Sequence, residues 1–310
     1  IWRYHRNSAP RRREYLGCSV RTRAISSIGV IFAGILPILA GGPIFALALG
    51  LLAFLAFREF QRLFLAFGLM VHPLGWLSGA AFAAVALLSP TTETLFAVVA
   101  LTGGLTLVTQ IWSARSSVSL AVSAWAATVA GALYLGLPVF AAIVLRSAQG
   151  SLEADWLTEI AEWGALGWGA APRGMAWLLI IILATWLGDT LAYVVGRSFG
   201  RRPFFPQISP KKTYEGAVSG LIGSGFAGAV GVVLFGLGIH PLWGLLFGLW
   251  IGTLGQVGDL AESLLKRAAN AKDSGVLIPG HGGVLDRIDS LLFAFCGGWL
   301  MATVVDRLAL

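Results

Sequence analysis

"GMAWLLIIILATWLGDTLAYVVG", residues 174–196, decides what kind of protein this is. A helix rises about 1.5 Å per residue, and roughly 20 apolar residues cross the hydrocarbon core of a bilayer. This run is long enough to cross, and its one charged side chain is Asp189. The rest of the chain agrees: 57% of residues are hydrophobic, 12% are charged, and mean hydropathy is +0.80. That charged share is about half of what soluble domains carry. The fold class that follows is all-α, a polytopic transmembrane helical bundle.

The same ruler predicts about nine spans, near 24–41, 43–60, 73–90, 93–112, 118–145, 174–196, 213–237, 241–265 and 288–306. Residues 1–23 read as a basic arm and 24–173 as N-terminal and middle helices. Residues 174–310 read as the catalytic region with its loops. A signal peptide is another reading of the start, but the apolar stretch from Ala24 to Phe57 is too long for one, and a transit-peptide remnant is a third. Lys and Arg set orientation through short loops. The N-terminal arm, Arg58, Arg62, Arg115 and the loops 197–212 and 266–287 fall on one side. The loop 147–173, with Glu153, Asp155, Glu159 and Glu162 against Arg173, falls on the other. The basic side is expected in the cytoplasm. Basic residues beside anionic lipid account for the +7 charge, so nucleic acid is not needed as a partner. Cys18 and Cys296 supply neither a disulfide frame nor a zinc set.

Acids then stand out. Asp189, Glu215, Asp259, Glu262, Asp273, Asp286 and Asp289 gather at the expected cytoplasmic ends of the last four spans. A carboxylate within a span is costly and is a functional candidate by default, with a salt bridge as the plainer alternative. Asp259, Glu262, Ser263 and Lys266 share one helix face by their i, i+3, i+4 and i+7 spacing. They form either a polar seam capped by lysine or a stripe of hard oxygen ligands suited to magnesium and phosphate. In "QISPKKTYEG" (207–216), Ser209 and Pro210 are expected to start a helix whose open N–H groups, beside Lys211 and Lys212, suit an anion. A topological anchor is the alternative there. In "KDSGVLIPGHGGVLDRIDS" (272–290), Gly280, Gly282 and Gly283 let backbone N–H groups approach an anion. Lys272 and Arg287 add positive charge, Asp273, Asp286 and Asp289 are candidate metal holders, and His281 is a weaker candidate contact. Together these loops describe a metal and polyphosphate site.

The stretch "GDLAESLLKRAANAKDSGVLIPGHGGVLDRIDS" (258–290) resembles the C-terminal signature of the phosphatidate cytidylyltransferase family. "WLGDTLAYVVGRSFGRR" (186–202) and "ISPKKTYEG" (208–216) resemble the block before it, and "GRRPFFPQISPKKTYEG" (200–216) is similar to cyanobacterial and plastid members. The resemblance covers roughly the C-terminal two fifths of the chain. It implies conversion of CTP and phosphatidate to CDP-diacylglycerol and pyrophosphate with magnesium, a second metal ion being open. It implies carboxylate metal ligands at Asp259 and Asp286, then Asp189 and Asp289. Catalytic roles fall to Asp259, Asp286, Lys211, Lys212 and Arg287. Phosphate contacts are expected from Ser209, Lys211, Lys212, Ser263, Lys266, Arg267, Lys272, His281, Gly282, Gly283 and Arg287. A homodimer and a bacterial inner membrane or a plastid membrane are implied, with the site facing the cytoplasm. Two other readings stay open: a CTP-dependent polyprenol or dolichol kinase-like enzyme, and an ion-coupled transporter. No GxSxG elbow or Walker-type loop competes with them.

Overall fold

The computed structural model describes residues 34–113, 117–278 and 282–309. Among them, helix α1 covers 34–40, and α2 runs Gly42–Leu65. A 3-10 turn, Pro73–Leu77, leads into α3, Ser78–Leu88. Then come α4 (Thr92–Ser113), α5 (Val118–Arg146), the short α6 (Asp155–Gly164) and α7 (Pro172–Phe199). Strands β1 (Pro203–Phe205) and β2 (Ser209–Thr213) form a small antiparallel hairpin. Helices α8 (Tyr214–Leu234), α9 (Pro241–Ala268) and α10 (Leu285–Ala309) complete the bundle.

Seven of the described helices are long and apolar enough to cross a membrane, and Pro73–Leu88 is a shorter apolar segment. Each expected span from 43 onward coincides with one of these. The expected span at 24–41 lies mostly outside the described residues. The all-α polytopic class is therefore what the chain adopts, with the hairpin as its one described sheet.

Close backbone approach organises the C-terminal helices. A Cβ on Gly228 would collide with the carbonyl of Gly244 and with Gly248, and one on Gly248 would strike the backbone of Ser224 and Gly225. Small residues allow this because, between helices in lipid, van der Waals contact and interhelical hydrogen bonds drive association. Ser224 Oγ adds one such bond, to the carbonyl of Ala184 on α7 (2.8 Å). At the end of the bundle away from the acid cluster, Arg173 pairs with Asp306 (2.7 Å) and Trp177 Nε1 donates to the same carboxylate (3.2 Å). That pairing joins the start of α7 to the end of α10. Arg146 is buried and donates to the carbonyls of Ile38 (2.6 Å), Leu39 (3.2 Å) and Ala171 (3.1 Å). These clamps leave the opposite end, where α7 and α9 finish and α8 and α10 begin, to hold the polar site.

One local expectation is corrected. Ser209 and Pro210 do not start α8; they lie in β2, where Ser209 pairs with Phe205. The helix begins at Tyr214, capped by Thr213, whose side chain accepts from Gly216 N (3.2 Å). Ser-Pro serves a strand entry as well as a helix entry, and pairing with 203–205 settles which it is. Glu215 in the first turn accepts the Arg201 and Arg202 amides (3.1 and 3.3 Å), and Phe204 packs edge-on against Phe205 and Tyr214. Lys211 and Lys212 therefore stand on a strand just before the helix rather than inside its first turn.

Candidate active site

The acid face of α9 has the composition its spacing predicted. Ser263 Oγ lies 3.3 Å from Asp259 Oδ1, and Lys266 forms ion pairs with Glu262 on its own helix and with Asp286 on α10 (2.7 Å to the latter). Glu262 is fully buried, and beyond that ion pair neither of its oxygens has a hydrogen-bond partner. Lys266 is the cation that compensates this buried carboxylate.

Asp286 organises the loop before α10. Its Oδ1 takes Lys266 Nζ, while Oδ2 accepts from Ser274 N (2.9 Å), Ser274 Oγ (2.9 Å) and Gly283 N (2.8 Å). Gly282 has φ +82°, and a Cβ there would sit 2.7 Å from Asp286 Oδ2, so both backbone and space call for glycine. Ile278 N donates to Gly282 O (2.9 Å) and closes the turn.

A second carboxylate, which sequence reasoning passed over, holds the same loop from across the bundle. Glu59 of α2 is 3% exposed and accepts from Ser274 Oγ (3.1 Å), Val284 N (3.0 Å) and Leu285 N (2.8 Å). It thus caps α10 from another helix, satisfying amides that a helix start leaves open. A Cβ on Gly275 or Gly283 would collide with it. The signal was present: Glu59 is an acid within an apolar run, as Asp189 is, but the neighbouring Arg58 and Arg62 drew the reading to loop charge.

Lys212 reaches from the hairpin to Asp259 (2.6 Å), both side chains being about one third exposed (29% and 33%). Arg267, expected on phosphate, braces the hairpin by donating to Ile208 O (3.2 Å) and also holds Ala271 O (3.1 Å). Asp189 and Asp289 lie within electrostatic reach of each other and of Asp259. Asp289 Oδ1 also accepts from Ser290 N (2.7 Å). Lys211, Lys272 and Arg287 are exposed at this end, and Ser209 is half-buried in the hairpin. His281 lies outside the described residues. The structure thus joins Lys212 with Asp259, and Lys266 with Glu262 and Asp286. Among the described residues, no set of three or more His, Cys, Asp or Glu converges at metal-binding geometry.

A profile of the "Cytidylyltransferase family" matches residues 21–305. The chain belongs to the cytidylyltransferase family. Curated relatives are similar over about two fifths to one half of its length. A Bacillus subtilis protein is 42% identical over 120 residues, 39% of this chain and 45% of its own length. A Synechocystis protein is 43% identical over 122 residues, 39% of this chain and 41% of its own length. A Mycobacterium bovis protein is 34% identical over 152 residues, 49% of each chain. All three are named phosphatidate cytidylyltransferase. The chain thus spans just under half the length of the curated relatives it matches.

Proposed function

We propose that this protein makes CDP-diacylglycerol and pyrophosphate from CTP and phosphatidate, within a membrane and with its site open to the cytoplasm. The observation that carries the reading is the lattice of Asp259, Glu262 and Asp286 with Lys212 and Lys266, built by helices of a cytidylyltransferase-family bundle. The names of the relatives support the choice of substrates. A bacterial inner membrane and a homodimer belong to the same proposal.

The chemistry suits these groups. Phosphatidate is a phosphomonoester whose second pKa should lie near 6, as for phosphoserine, so it is largely ionised at neutral pH. A phosphate oxygen of the lipid attacks the α-phosphorus of CTP; a new P–O bond forms, the bond from that phosphorus to the bridging oxygen breaks, and pyrophosphate leaves. No side chain needs to take a proton from the nucleophile. What remains is positioning and charge neutralisation. Lys212 and Lys266 supply cations; the Gly283 N–H, expected on phosphate, instead donates to Asp286 and orders the turn. Asp259, Asp289 and Asp189 would hold magnesium. Asp286, expected from the resemblance as a principal ligand, has both oxygens engaged by Lys266, Ser274 and Gly283 and would stand behind them with Glu262. Asp189, Asp259 and Asp289 lie within electrostatic reach of one another, and hard oxygens so placed fit an ion that takes one or two carboxylates and completes its shell with substrate phosphates. Bound there, magnesium would neutralise phosphate charge and orient the triphosphate.

The test is purified protein with CTP, phosphatidate and magnesium, scored for both products. Wild type should form CDP-diacylglycerol and pyrophosphate one to one, and Asp259→Asn and Asp286→Asn should each keep less than about a tenth of the rate, a loss above roughly 1.4 kcal/mol. Release of CDP with a newly phosphorylated lipid would replace the reading with a kinase.

A further inference from the structure

An apolar chamber of about 230 Å³ lies between α1, α2, α5, α7 and α10, beside the acid cluster. Phe45, Ala48, Leu135, Ile182 and Phe295 are among its walls, and Arg287 is the one charged residue among the described residues lining it. Two helices lead from it to the polar site. On α10, Val284, Arg287, Ile288, Leu291, Leu292 and Phe295 recur every three or four residues and line the chamber. Asp286 and Asp289 project from the opposite side of that helix, Asp286 towards Lys266 on α9. On α7, Ile182 and Trp186 line the chamber, and Asp189 follows on the same face one turn on. The first stripe carries a cation, Arg287, near its start, and the second ends with an acid of the site.

We propose that this chamber takes an acyl chain of the lipid substrate, and that Arg287 meets the phosphate of that lipid rather than the triphosphate of the nucleotide. The proposal rests on the function above and divides its basic residues: Arg287 serves lipid, while Lys212 and Lys266, already on carboxylates across α10, serve the nucleotide side. The argument for this occupant is amphiphilic complementarity. An apolar chamber of this size takes up hydrocarbon rather than water. A lone guanidinium at its margin, next to the acid cluster, matches an anionic head and no neutral lipid. The space holds part of one chain, so the remainder of the lipid stays in the bilayer. The rival occupant is this chain's own apolar stretch at 24–33.

Two experiments test this. First, wild type and Ala48→Phe are compared on dioleoyl and dihexanoyl phosphatidate; Ala48 is a half-buried wall residue. The ring should lower kcat/KM for the long-chain lipid by about tenfold or more, the effect of losing roughly two buried methylene groups, and spare the short-chain one. Arg287→Gln should raise KM for phosphatidate and leave that for CTP within about twofold. An equal loss on both lipids, or a KM change confined to CTP, overturns the proposal. Second, phosphatidate carrying a diazirine in its acyl chain is photolysed with wild type and the labelled peptides are mapped. Labels resolved to Phe45, Ala48, Leu49 or Leu52, or to the lining residues within 135–139 and 288–295, support the chamber. Labels confined to outward residues such as Leu47 and Leu51, or a disulfide between cysteines placed at 28 and 292 with no label, overturn it. Photolabelling needs no turnover, so it stands apart from failure of the enzymatic reading, which would appear as no CDP-diacylglycerol from either lipid.

Discussion

Glu59→Gln removes one charge and turns one acceptor into a donor, where the structure offers two backbone N–H donors and a hydroxyl shared with Asp286. In wild type, Oε1 takes Val284 N–H, while Oε2 takes Leu285 N–H and Ser274 O–H. Whichever way the amide sits, its NH₂ faces a buried N–H, and at least one charge-assisted hydrogen bond is lost, worth about 1.5–3 kcal/mol. The carboxylate also stands at the positive end of α10, which adds about 0.3–1 kcal/mol. The sum, about 2–4 kcal/mol, falls on the coupling of α2 to the 274–285 loop and not on the membrane spans. Local opening of that loop should therefore become at least about 30-fold more frequent. Hydrogen–deuterium exchange in detergent, read on peptides covering 282–292, measures it directly. Amides of Val284 and Leu285 should exchange at least 30-fold faster, while peptides in 155–164 stay unchanged. Exchange at those two amides within about threefold of wild type would refute the cap, since even one lost hydrogen bond of this kind predicts more.

Lys212 and Asp259 are each about a third exposed, so their ion pair should contribute only about 0.2–1 kcal/mol to stability. Lys212→Ala should therefore melt close to wild type yet lose activity, and unchanged kcat/KM for both substrates in Lys211→Ala and Lys212→Ala would leave the pair as an anchor. Gly248→Ala puts a methyl into the backbone of Ser224 and Gly225, an overpacking expected to cost about 1–3 kcal/mol, and an unchanged melting temperature would contradict the close α8–α9 crossing. For orientation, an impermeant thiol reagent applied from outside should reach a cysteine placed at Gly150 and miss one at Asn270; the reverse would remove the cytoplasmic site.

The all-α membrane class, the expected spans within the described residues and the polar face of α9 were all readable in the sequence, because each depends on residues close along the chain. An apolar run of about 20 residues has few other ways to satisfy its backbone in lipid. Acids and a lysine three, four and seven residues apart share a face whatever the rest of the chain does. The start of α8 was not readable, since Ser209-Pro210 and Thr213 are both plausible starts, and pairing of 209–213 with 203–205 chose between them. Nor could spacing show that Lys266 would join Glu262 to Asp286, that Arg267 would brace the hairpin, or that Glu59 would cap a helix beginning 226 residues later. Local pattern sets which face a side chain occupies and can pair Glu262 with Lys266 one turn on; what stands opposite that face is set by helices meeting in three dimensions, and the partners of Asp259, Asp286 and Glu59 are decided there.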